Sequence, residues 1–108
     1  MAATLTVMYP NEADAKYDIE YYKTQHMPLM ERLLGKYGVK SWTVTTYLPS
    51  ADGSAAPYVF SSTVTWTSAQ AIKEAFADES APQILADVAN FSNKQPVFLV
   101  GEITGSSA

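Results

Sequence analysis

The sequence predicts an α+β fold: a four-stranded antiparallel sheet with both helices on one face, in the order β-α-β-β-α-β. Three observations predict it. Four short runs are rich in β-branched and aromatic residues. Two longer stretches between them repeat their apolar residues at helical spacing. The strand runs carry almost no charge on either alternating face, so a single sheet must be covered on both sides.

The first strand is expected over residues 4 to 9, Thr4-Leu5-Thr6-Val7-Met8-Tyr9, and Pro10-Asn11 ends it. Residues 15 to 36 carry the first helical period. Ile19, Tyr22, His26, Leu29, Met30 and Leu33 fall on one side. Pro28 removes one helical hydrogen bond and crowds the carbonyl of Thr24, so a kink or restart is expected there. Gly35 and Gly38 are helix stops. Val39 to Leu48 is the second strand, and Pro49 to Pro57 is a loop of small residues. Tyr58 to Trp66 is the third strand. Thr67-Ser68-Ala69-Gln70 has the form of a capping box with Thr67 as N-cap. The helix it opens presents Ala69, Ile72, Ala75 and Phe76. Ser80-Ala81-Pro82-Gln83 opens a second helical piece, which presents Ile84, Leu85 and Val88. The last strand runs from about Gln95 to Ile103, and residues 105 to 108 are a frayed tail. This is the split β-α-β, or ferredoxin-like, plan.

Strand faces support one further expectation. Val39, Ser41, Thr43, Thr45 and Tyr47 should share a face in the second strand. Tyr58, Phe60, Ser62, Val64 and Trp66 should share one in the third. One sheet face takes the helices. A second copy of the same sheet is the simplest cover for the other, giving a homodimeric barrel.

Composition narrows the function. A chain of 108 residues makes a single domain, 1–108. A net charge of −4, with seven basic residues scattered along the chain, argues against a nucleic-acid partner. No apolar run is long enough to span a membrane, and the N-terminus lacks the pattern of a secretory signal. The chain has no cysteine, which excludes disulfides, thiolate metal sites and cysteine nucleophiles and fits a cytoplasmic location. Metal-ligand spacings, phosphate-binding glycine loops and the Gly-x-Ser-x-Gly elbow are all missing, so no cofactor or metal is expected.

Chemistry concentrates in Tyr17-Asp18-Ile19-Glu20-Tyr21-Tyr22-Lys23-Thr24-Gln25-His26-Met27-Pro28. It holds the one histidine of the chain. Tyr9-Pro10, Tyr17-Asp18, Tyr21-Tyr22 and His26-Met27-Pro28-Leu29, with the element order over residues 4 to 104, resemble the EthD family of the dimeric α+β barrel superfamily. The family takes its name from an ether-degradation gene cluster. The resemblance implies a barrel dimer whose relatives include cofactor-free isomerases, cyclases, decarboxylases and monooxygenases, beside proteins of no known activity. It also implies that the matching histidine, His26, faces a ligand cavity between sheet and helices.

The residues themselves permit acid–base work. Imidazole titrates near neutrality, and burial lowers its pKa and keeps it a neutral base. Tyr22 lies one helical turn before His26 and Asp18 another turn back, so both are candidates to support the ring. Tyr9, Tyr47, Tyr58 and Trp66 are candidates to line an apolar pocket for a small aromatic or carbonyl ligand. The structural alternatives stand beside these. A histidine at a helix kink also serves by binding a backbone carbonyl. Asp18 fits a favourable first-turn acid. The strand aromatics fit core and interface packing. Glu12, Asp14, Glu31, Glu74, Asp78, Glu79 and Asp87 read as a solvated surface. Two functions remain: a cofactor-free isomerase, cyclase, decarboxylase or small monooxygenase, and a non-catalytic dimeric binding or accessory protein.

Overall fold

A computed structural model describes residues 1–107. The strands are β1 (Ala3–Pro10), β2 (Val39–Thr46), β3 (Tyr58–Trp66) and β4 (Val97–Glu102). The helices are α1 (Ile19–Tyr21), continuing through a π-helical turn Tyr22–His26 into α2 (Met27–Leu34), then α3 (Ala69–Phe76) and α4 (Ala81–Asp87). Short 3₁₀ turns follow α2 and α4 at Gly35–Tyr37 and Val88–Asn90. The sheet is antiparallel throughout, in the order β2-β3-β1-β4, which is the ferredoxin-like arrangement expected. No helix among the described residues is long and apolar enough to cross a membrane.

Alternation decides which strand residues meet the helices. In β1 it is Ala3, Leu5, Val7 and Tyr9 that are buried. Their partners Trp66, Val64, Ser62 and Phe60 in β3 lie on the same side. Burying this face against apolar helix residues supplies the core. β2 departs from simple alternation. A bulge between Val39 and Ser41 puts Val39 opposite Trp66 and Ser41 opposite Thr65, so these two residues lie on opposite faces.

The other sheet face carries Thr4, Thr6, Met8, Ser41, Thr43, Thr45, Ser61, Thr63, Thr65, Val97 and Leu99, paired across the strands. It is uncharged at these positions, as expected, but rich in hydroxyls rather than apolar throughout. Its apolar part lies along β1 and β4.

The first helix corrects its expected face. Pro28 cannot donate a backbone hydrogen bond, and the chain answers with a wider turn in which the Met27 N–H donates to the Tyr22 carbonyl. The turn holds one extra residue and rotates everything after it. The buried residues beyond His26 are therefore Met27, Met30 and Leu34, while Leu29 and Leu33 are only half-buried. At α3 the N-cap is Ser68 rather than Thr67. The Ser68 hydroxyl accepts from the Ala71 N–H at 3.1 Å.

Candidate functional site

His26 sits at the end of the π-helical turn, and only 7% of it is exposed. π-turns occur often at functional sites because they re-aim a side chain without ending the helix. Here the turn holds the imidazole against the Tyr22 ring, stacked at 5.2 Å and 15°. Phe91 tilts against the other neighbour position at 4.7 Å.

The carboxylate that reaches the ring is Asp87, at the end of α4. Its Oδ2 lies 2.9 Å from His26 Nδ1. Its Oδ1 accepts from the Tyr21 hydroxyl at 2.7 Å and from Asn90 Nδ2 at 2.8 Å. Burial works to raise the Asp87 carboxyl, but the hydrogen bonds from His26, Asn90 and Tyr21 outweigh it and hold it below the usual range. An ionised carboxylate only accepts, so neutral His26 must carry its proton on Nδ1. That leaves Nε2 as a lone-pair acceptor, with no hydrogen-bond partner among the described residues. Burial pushes the imidazole below its ordinary value. The hydrogen bond and charge of Asp87 pull the other way without cancelling that shift.

A cavity of about 40 Å³ lies between sheet and helices. His26, Tyr22, Tyr9 and Ser62 are its polar walls, and Leu5, Met30, Ile84 and Phe98 are among its apolar ones. The Tyr22 hydroxyl donates to Ser62 Oγ at 2.6 Å. Burial drives the Tyr22 phenol up to about 12, against the opposing hydrogen bonds of Ser62 and Tyr9. Tyr9 is raised further, by burial first and by its neighbour Tyr22 second. Both phenols are therefore neutral hydrogen-bonding groups at ordinary pH. Tyr9 also stacks on Phe60 at 4.5 Å, which fixes its ring.

Among the residues singled out in the sequence, the structure brings together His26, Tyr22 and Tyr9. It places the others elsewhere. Asp18 caps α1, its Oδ1 accepting from the Tyr21 N–H at 3.0 Å, and does not reach the imidazole. Tyr47 lies on the far side of the sheet, hydrogen-bonded to Ser61 Oγ at 2.6 Å. Tyr58 stands opposite Pro10 at the sheet margin. Trp66 is fully buried at the other end of β3, opposite Ala3, and its Nε1 has no partner. None of Tyr47, Tyr58 and Trp66 lines the His26 cavity.

The sequence reading missed Asp87, Asn90 and Ser62. Asp87 is not part of a solvated surface, since its side chain is 12% exposed. Nor is Asp78, whose carboxylate accepts from Ser80 N and Oγ at the α3–α4 turn and from the Tyr37 hydroxyl. The available signal for Asp87 was its position: three residues after Ile84 and next to Val88, it flanks the apolar side of its helix. Its pairing with His26, 61 residues away, is a tertiary fact.

Fold and site together define a small ferredoxin-like α+β protein with a histidine–aspartate pair opening on an internal cavity. An EthD domain model matches residues 11–95, and the chain belongs to the EthD family. Among solved structures it is similar to an EthD-like protein from Ralstonia eutropha, with 29% identity and a TM-score of 0.88, covering 99% of this chain and 96% of that one. An EthD family protein from Bacillus halodurans matches at 18% identity and a TM-score of 0.74, over 96% of this chain and all of that one. SnoaB, a cofactor-independent oxygenase from Streptomyces nogalater, shares the fold at 10% identity and a TM-score of 0.67, over 98% and 96% of the two chains. Among curated proteins none matches this sequence.

Proposed function

We propose that this protein performs cofactor-free acid–base chemistry on a small, partly apolar carbonyl or phenolic compound, with His26 as the base. The observation that carries the reading is the His26–Asp87 pair at 2.9 Å, formed through Nδ1, on a histidine that lines a cavity. Asp87 would hold the tautomer and stabilise the imidazolium formed when Nε2 accepts a proton. Ser62, whose oxygen accepts the Tyr22 proton, would donate its own hydroxyl hydrogen to an oxygen on which charge develops, with the Tyr22 and Tyr9 hydroxyls backing it. Isomerisation and cyclisation begin with proton removal by the base, whereas decarboxylation draws on the hydroxyl that holds the developing enolate oxygen. The fold shared with a cofactor-independent oxygenase supports chemistry without a prosthetic group.

The mostly apolar wall of the cavity supports a second reading, in which the chain holds such a compound without transforming it. One experiment separates the two. Deuterium uptake at the acidic C–H of a panel of small cyclic 1,3-diketones is followed in D₂O with wild type, His26→Gln and Asp87→Asn. The catalytic reading expects acceleration by wild type, a loss of roughly 10²- to 10⁴-fold in His26→Gln, and a smaller loss in Asp87→Asn. The accelerated rate should fall on the acid side, below the ordinary imidazole pKa of about 6.5, where His26 protonates. Equal rates in wild type and His26→Gln would remove His26 as the base.

A further inference from the structure

We propose that the His26 cavity is the inner part of a two-part ligand site whose outer part is the apolar groove beside β4. The ligand would be an elongated molecule with an apolar body and one hydroxyl or enolisable head. This rests on the reading above that His26 addresses the ligand's polar group.

Size separates the two parts. The inner cavity, about 40 Å³, takes the volume of about three to four waters, at about 10–15 Å³ for each. No ring compound fits inside it whole. The groove beyond it holds about 400 Å³, which lies in the range of roughly 300–1,000 Å³ typical of ligand pockets. Leu5, Phe76, Leu85 and Phe98 wall both spaces, so side chains rather than a separate layer of structure divide them.

Chemistry separates them in the same sense. The polar groups His26, Tyr9, Tyr22 and Ser62 all line the inner cavity. The groove is lined by apolar residues with the single exception of Lys73. Leu85, Phe98 and Val100 leave 49%, 47% and 58% of their surface exposed there, on one continuous patch. Such a patch beside a cavity is the surface that an apolar body would cover. A head group that reaches Nε2 from this side passes between Leu85 of α4 and Phe98 of β4, and its body then lies along Val100 and Ile72.

The test uses phenol, 4-ethylphenol and 4-butylphenol as probes. The chain has one histidine, so a single imidazole signal in the NMR spectrum reports on the head site while the titration gives the affinity. All three probes are expected to shift that signal. Affinity is expected to rise about two- to fourfold per added methylene. Val100→Glu should shrink this chain-length gain towards one. Val100→Thr, nearly isosteric, should reduce it in part and keeps the test valid if the glutamate variant does not fold. Equal affinities along the series, with the imidazole signal still shifting, would overturn the two-part site and leave the His26 reading standing. A chain-length gain without any imidazole shift would also overturn it, since the groove would then bind alone. No shift with any probe would contradict the His26 reading itself and the inference with it. Loss of a dimer in Val100→Glu would make the groove a subunit contact and overturn the inference.

Discussion

At the scale of the residue, the site depends on opposing influences on one imidazole. Burial disfavours the charged ring, while Asp87 favours it, and burial wins. A lowered folded-state value means the folded protein releases this proton before the unfolded chain does as pH rises. The stability that neutral His26 contributes is therefore present above the unfolded value of about 6.5. It is lost as pH falls through the folded one. Asp87 shifts in the same direction and is lost only at lower pH. The sequence made His26 and Tyr22 legible because one polar ring stood out on an apolar helix side. It concealed Asp87, which looks like any surface acid until α4 is laid against the π-turn. Asp18 was the nearer carboxylate in sequence, but the backbone N–H of Tyr21 claims it as a cap.

At the scale of the element, existence and type were legible, and phase was less so. All four strands and the helical stretches stand where periodicity placed them. Two local irregularities shifted side chains beyond them. The π-turn before Pro28 rotated the buried side of α2, and the bulge at Val39–Ser41 reversed Val39. Periodicity assumes unbroken elements, so it cannot see an inserted residue. Gly38 shows how tightly β2 is set. Its φ is +122°, and an added Cβ would overlap Thr67 Oγ1, while the Thr67 N–H donates to the Gly38 carbonyl at 2.9 Å. Gly38→Ala is expected to destabilise the fold by about 1–3 kcal/mol, read as a lowered urea midpoint. An unchanged midpoint would show that this turn relaxes freely.

At the scale of the whole molecule, the strand order β2-β3-β1-β4 follows from the element order and the usual connection rules, so the fold class was fully readable. The cavity was not, because it depends on how α3 and α4 close over β1 and β4. We also propose that the uncharged sheet face meets its counterpart in a second copy. Thr63, at the middle of that face between Thr6 and Thr43, is the point to test. Sedimentation at micromolar concentration should give about twice the 11.8 kDa chain mass, and Thr63→Glu should return it to a single chain by burying like charges. A wild-type monomer at that concentration would remove the dimer.

The chemistry proposed for His26 turns on one proton and the nitrogen that holds it. The direct measurement is ¹⁵N–¹H NMR of the single imidazole through a pH titration, with Asp87→Asn in parallel. The expected spectrum at pH 7 is the neutral ring protonated on Nδ1, titrating below the ordinary histidine value, with Asp87→Asn titrating lower still because a charge that favours protonation is gone. A charged imidazolium at pH 7, or a neutral ring protonated on Nε2, would contradict it.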